Sequence, residues 1–267
     1  MILLLAISAC DFLDGDTDGP TPTPADVESL ITADFMATNA PPEGFGIVAY
    51  PAVDADLDKV VYAHALINFT FDGSPSEDST GQTSNTNMRM EIWKNEFNEA
   101  RQVSISFSGN AALLAGGSGN LDAVRLGNNY YMINPNGVCV TGEEDEDVIQ
   151  IANLTAGEVI GGFEAASFTG QRETINGYEA WQYGFTPDDL VLPRINTTLN
   201  ERSVVEILRG EVWVAPEYGI VVRYVVEMNV HQVGLLFSNT PVTGRLRYQY
   251  DVFDIGVVPN ISIPNGC

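Results

Sequence analysis

Few residues in this chain are of the types that carry out covalent chemistry. His64 and His231 are the only histidines. Each sits at a polar position of an alternating strand pattern, where a solvated role outweighs a catalytic one. GGSGN (116–120) has neither the lysine of a phosphate-binding loop nor the spacing of a nucleophile elbow, and no HExxH or CxxC occurs. The most suggestive pattern is DGDTDG, which sets Asp14, Asp16, Asp18 and Gly19 at the first, third, fifth and sixth places of a calcium loop. The twelfth place needs a bidentate Glu and holds Ala25 instead. Asp54, Asp56 and Asp58 fail in the same way, with Lys59 where the turn glycine belongs and Ala65 at the closing place. Both stretches read as solvated acids. No catalytic residue, metal site or cofactor is expected, and the chain reads as a non-enzyme.

The cysteines are more informative. Met1–Ala9 is apolar but far short of the ~20 residues that a membrane-spanning helix needs. Ile7-Ser8-Ala9-Cys10 resembles a bacterial lipobox, a branched apolar residue and two small ones ahead of a cysteine that receives a lipid. The resemblance implies lipidation of Cys10 and removal of residues 1–9 as a signal peptide. No Lys or Arg precedes Cys10, unlike the usual positive start of such peptides, so a truncated signal is expected. Residues 10–23, rich in Asp with Pro20 and Pro22, form an acidic, disordered tether. Residues 24–267 then make a single domain anchored to a bacterial membrane, on the outer surface or the periplasmic face. Cys139 and Cys267 remain as a pair that an oxidising compartment would join, and two free thiols are the other reading. With 36 acidic against 12 basic residues the net charge is −24, which repels nucleic acid.

The elements that must position anything greasy are mostly strands. Thr23-Pro24-Ala25-Asp26 caps a first helix carrying Val27, Leu30, Ile31 and Phe35. After it, period two dominates. Val61, Ala63, Ala65, Ile67, Phe69 and Phe71 share one face, Met88, Met90 and Ile92 another, and Val103, Ile105 and Phe107 a third. A hairpin is expected around Pro216–Gly219, with Val222, Tyr224, Val226 and Met228 in its second arm, and Leu246, Tyr248, Tyr250 and Val252 follow. Weaker strands are expected at 123–126, 130–133, 166–168 and 180–185. Short helices are expected after Thr155 and Thr186, a polar loop at 73–87 and an acidic turn at EEDED (143–147). The fold class is α+β but mainly β: a strongly curved antiparallel sheet, or half-barrel, with a few helices covering its concave face.

One amphipathic helix and two stubs cannot cover the apolar stripes of about nine strands. A bent sheet packs part of that face on itself, and the rest surrounds a hollow suited to a hydrophobic ligand. The candidate lining is Leu30, Ile31, Phe35, Ile67, Phe69, Phe71, Met88, Met90, Ile92, Ile105, Phe107, Val222, Tyr224, Val226, Met228, Leu246, Tyr248 and Tyr250.

The lipobox and acidic spacer, NGYEAWQYGF (176–185), and the close EVWVAPEYGIVVRYVVEMNV…GRLRYQYDVFDIGVVPNISIPNGC together resemble the LolA-like and LppX/LprG-like lipid carriers. The resemblance implies a half-barrel that holds a lipid or lipopeptide at the cell envelope, for carriage or sensing. The partners expected are that ligand, the membrane through Cys10, and an envelope protein of unknown identity. The alternative is a surface-anchored, β-rich interaction module with a closed core and no small ligand.

Overall fold

Alternation of apolar and polar residues is realised as one antiparallel sheet. A computed structural model describes residues 40–75, 84–109, 119–193, 199, 201–234 and 241–267, all within a unit that runs from Asn39 to Cys267. The strands are β1 (Ile47–Tyr50), β2 (Tyr62–Pro75), β3 (Ser84–Asn95), β4 (Ala100–Gly109), β5 (Gly119–Leu126), β6 (Asn129–Ile133), β7 (Cys139–Thr141), β8 (Gly162–Ile175), β9 (Tyr178–Gly184), β10 (Leu190–Val191), β11 (Val204–Ala215), β12 (Ile220–Gly234) and β13 (Pro241–Phe253). They form a 13-stranded open sheet in the order β1-β8-β9-β11-β12-β13-β2-β3-β4-β5-β6-β7, with β10 beside β8. Among the described residues the other regular elements are two short helices, α1 (Glu146–Ala152) and α2 (Ala156–Ile160), and brief 3-10 turns at 57–59, 96–98 and 187–189.

The sheet is strongly curled. Phe163 of β8 and Tyr224 of β12 lie three strand spacings apart, roughly 14 Å in a flat sheet. Their ring centroids are 6.1 Å apart, and the Tyr224 hydroxyl donates to the Gly162 carbonyl at 3.2 Å. Tyr50 of β1 reaches further round and donates to the Gly219 carbonyl in the β11–β12 turn at 3.0 Å. β1, β8 and β9 therefore fold back over the apolar face of β11 and β12.

Two straps hold the curl. On the concave face the chain from α1 through α2 crosses the strand ends. Val148 and Ala152 of α1 pack on Ala123 and Met132. Val159 and Ile160 of α2 join the main core with Val53, Leu57 and Val60. On the convex face the C-terminal tail leaves β13 and crosses to the far edge. The Gly256 amide donates to the Tyr62 carbonyl at 3.1 Å, the Ile255 amide to the Tyr178 hydroxyl at 2.7 Å, and Cys267 is disulfide-bonded to Cys139 in β7. From β13 to β7 is about 29 Å at ~4.8 Å per strand, well within reach of a tail of this length.

Several expectations are corrected by these elements. The two ends of the loop expected at 73–87 are strand, since β2 runs to Pro75 and β3 starts at Ser84, and residues 76–83 lie outside the described residues. EEDED is not a plain turn: Asp145 caps α1 by accepting the Asp147 amide, and Glu146 and Asp147 fill its first turn. Val61 is exposed and precedes β2. The capping box at Thr155 and the turn before Pro193 occur as expected, the latter as a 3-10 turn. Cys10 and the helix expected from Pro24 fall outside the described residues.

The Cys139–Cys267 bridge closes a loop with a sequence separation of 128. Chain-entropy reasoning assigns such a loop about 4–5 kcal/mol. Cys267→Ser, or reductant, is expected to lower the urea midpoint accordingly and to release the convex strap. An unchanged midpoint under reductant would contradict that role.

Candidate functional site

The registers join the apolar stripes into continuous rungs across the concave face. One rung runs Val212–Tyr224–Tyr250–Ile67–Met90–Ile105–Leu121 through β11, β12, β13, β2, β3, β4 and β5. The next runs Gly210–Val226–Tyr248–Phe69–Met88–Phe107–Gly119, and beyond it lie Met228, Leu246 and Phe71. On the other side come Val252, Ala65, Ile92, Val103, Ala123 and Met132. From Val252 to Leu246 the rungs extend roughly 20 Å along the strands at ~3.4 Å per residue.

Every described residue of the expected lining lies in this single apolar cluster. Ile67, Phe69, Phe71, Met88, Met90, Ile92, Ile105, Val222, Tyr224, Val226, Met228, Leu246, Tyr248 and Tyr250 are all buried, and Phe107 is partly buried against them. Leu30, Ile31 and Phe35 are outside the described residues. Stacked rings of Phe163, Phe185 and Tyr224 close the side where β8 folds over.

The rungs end in a row of a different kind. Continuing the same alternation, Ala63 faces Lys94, Lys94 faces Arg101, Arg101 faces Arg125, and Arg125 faces Tyr130. Three cations thus stand side by side on the concave face, just where the inner strap crosses. The Lys94 ammonium, 2% exposed, donates to the Leu57 carbonyl at 2.9 Å and lies 3.2 Å from Asp58 and 3.3 Å from Glu96. The guanidinium of Arg101 donates to the Leu154 carbonyl at 2.5 Å, and that of Arg125 to Asn153 Oδ1 at 2.9 Å. Asp54 receives the amides of Ala156 and Gly157 at 2.7 and 2.8 Å. The strap between α1 and α2 is therefore bolted to the sheet through buried polar groups.

These contacts set the local electrostatics. Burial pushes the Asp54 carboxyl up, opposed by the Gly157 and Ala156 amides and by Arg101. Burial pulls Arg101 down, and repulsion from Arg125 adds to that while Asp54 opposes it. The Tyr250 phenol is pushed up, first by burial and then by Asp54. The side-chain polar atoms that are buried without a partner among the described residues are Arg101 Nε, Arg125 Nε and the Tyr250 hydroxyl.

The acids and histidines stand differently from the sequence expectation. Asp54, Asp56 and Asp58 are not merely solvated: Asp54 holds α2, Asp56 pairs with Lys59 at 2.8 Å and Asp58 pairs with Lys94. Among the described residues no cluster of His, Cys, Asp or Glu is arranged to hold a metal ion. His64 is on the outer face as expected, but not free in water. It stacks on Trp93 at 4.7 Å between Glu91 and Asp254, in a cleft of about 290 Å³ beneath the C-terminal tail. His231 lies 3.1 Å from the Thr243 hydroxyl on the exposed face. Asp14, Asp16 and Asp18 lie outside the described residues. The cationic row was missed in the sequence, although Lys94, Arg101 and Arg125 keep the inward parity of Ile92, Val103 and Ala123.

No protein-family model matches the chain, and no curated protein matches it. Among solved structures it is similar to the crystal structure of a DUF1329 family protein from Desulfovibrio piger. The two share 8% identity with a TM-score of 0.25, over 76% of this chain and 92% of that one.

Packing phenols into an apolar face has a pH consequence. Burial pushes Tyr183 up to about 12 and raises Tyr50, Tyr224, Tyr248 and Tyr250 as well. Unfolded phenols release their protons near ~10, so between that value and the folded one the unfolded chain binds fewer protons. Their contribution is complete below about pH 10 and is lost as pH rises above it. The urea midpoint is expected to fall steeply between about pH 10 and 12, together with a rise in tyrosinate absorbance. A midpoint flat across that window would contradict the packing.

Proposed function

We propose that this protein is an exported, membrane-anchored lipoprotein whose curled sheet binds a lipid or another acylated ligand at the cell envelope. The observation that carries the reading is the unbroken apolar face from β11 to β5, ending at one row of cations. Its length along the strands is on the scale of an extended acyl chain, and each methylene moved from water to such a face is worth about 0.8 kcal/mol. Methionines and aromatic rings in the rungs suit a lining that adapts to chain length. The role is binding, with no catalytic step: His64 is engaged by Trp93 and two carboxylates, and His231 stands apart from the concave face. The Cys139–Cys267 bridge supports an oxidising compartment, and Cys10 in its lipobox-like setting supports the anchor.

The second reading, a closed interaction module, is favoured by one specific observation: the rung side chains are themselves almost fully buried. Uptake of a fluorescent fatty acid by the delipidated, detergent-free chain separates the two. Saturable binding at micromolar probe, displaced by unlabelled acyl chains, is expected, and no uptake would leave the closed module. Phe69→Asp sharpens the comparison. A folded variant without uptake supports a ligand face, whereas an unfolded variant supports a sealed core.

The anchor is checked separately by intact mass. Membrane-extracted protein is expected to begin at Cys10 and to carry diacylglycerol. A product that retains residues 1–9 without lipid would contradict the anchor and leave the ligand reading standing.

A further inference from the structure

An acyl chain explains the rungs but not the row that ends them. Arg101 and Arg125 are register partners on adjacent antiparallel strands, a placement in which like charges repel. The chain has 36 acidic residues to offer as partners. Lys59, Lys94, Arg172, Arg209, Arg223 and Arg245 each form an ion pair with a carboxylate. Arg101 and Arg125 form none among the described residues, and their acceptors are the neutral Leu154 carbonyl and the Asn153 amide oxygen. Both keep a buried Nε with no acceptor, as does the Tyr250 hydroxyl two rungs away. Asp54, Asp58 and Glu96 attract Arg101 from the segment between β1 and β2 and from just past β3, yet Asp54 is held by two α2 amides and the other two by Lys94. Leaving buried guanidinium donors unmade is costly, and a guanidinium is suited to the oxygens of a carboxylate or phosphate.

We propose that Arg101 and Arg125 bind the anionic headgroup of the ligand whose acyl part lies along the rungs. The shared chemistry is an oxyanion at the end of an acyl chain, either a fatty-acid carboxylate or a lipid phosphate. The proposal rests on the lipid-binding reading, so its test must fail separately from that reading.

The test displaces an uncharged fluorescent acyl probe from the full chain with competitors of one chain length: hexadecanol, palmitate and hexadecyl phosphate. At least one anion is expected to displace the probe at a concentration tenfold or more below that of hexadecanol. Its identity then assigns the source as carboxylate or phosphate. Arg125→Gln is expected to remove most of this advantage while leaving hexadecanol unchanged, and Arg125→Lys to keep part of it, since charge survives but the fork does not. Arg101→Gln is expected to act like Arg125→Gln; because Arg101 also ties down Leu154 and Arg125 ties down Asn153, the folding of both variants is checked by circular dichroism. Equal displacement by all three competitors in the native chain, or an undiminished advantage in Arg125→Gln, would overturn the headgroup site alone. Failure of the native chain to take up the uncharged probe would instead overturn lipid binding itself, and this proposal with it.

Discussion

A sheet with apolar side chains on one face is stable only when that face leaves water, and here the face runs unbroken from Val212 in β11 to Leu121 in β5. The rest of the architecture answers that demand. Curling brings β8 over β12, so that Phe163, Phe185 and Tyr224 stack on one another. The face that is too wide for two short helices is thereby partly covered by the sheet's own margin. The rung side chains are almost fully buried by this packing, and they define the candidate ligand surface. A closed barrel would have removed both edges, whereas here β1 and β7 end the strand order as separate edges.

Curvature has to be held, and the two straps hold it by opposite physics. The inner strap uses buried charge and hydrogen bonds: Lys94 on Leu57, Arg101 on Leu154, Arg125 on Asn153, and Asp54 on the amides that open α2. The outer strap is fixed covalently at Cys139–Cys267, with hydrogen bonds from the Ile255 and Gly256 amides at its start. Cations are scarce in this chain, so placing three of them on neighbouring inner positions is a local concentration of positive charge inside a strongly acidic molecule. Lys94 is neutralised in place by Asp58 and Glu96. Arg101 and Arg125 form no ion pair among the described residues, although Asp54, Asp58 and Glu96 attract Arg101.

Much of the sheet was legible because alternation is a local signal. Ile67, Phe69 and Phe71, or Tyr224, Val226 and Met228, declare their shared face without any knowledge of partners. The hairpin at Pro216–Gly219 was equally plain. Strand order and register were not legible, since they depend on residues far apart in the chain, such as Phe69 beside Tyr248. β1 and β7 are too short to show a period. α1 was hidden because its acidic start resembled a solvated turn, and its apolar stripe amounts to Val148 and Ala152. Asp54 looked solvated because the amides it accepts lie about a hundred residues on, at Ala156 and Gly157. Lys94, Arg101 and Arg125 were missed for a different reason. A charge at the end of an apolar alternation is easily taken as the strand's boundary, when parity alone places it indoors.

The account depends on the concave face holding an acyl ligand as well as the chain's own packing. Native mass spectrometry of the protein, isolated from an envelope fraction without detergent, tests this most directly. The predicted result is a population heavier than the covalent chain by one dissociable acyl species, which disappears after organic extraction while the fold survives. A single unliganded mass for folded protein from the same preparation would contradict it.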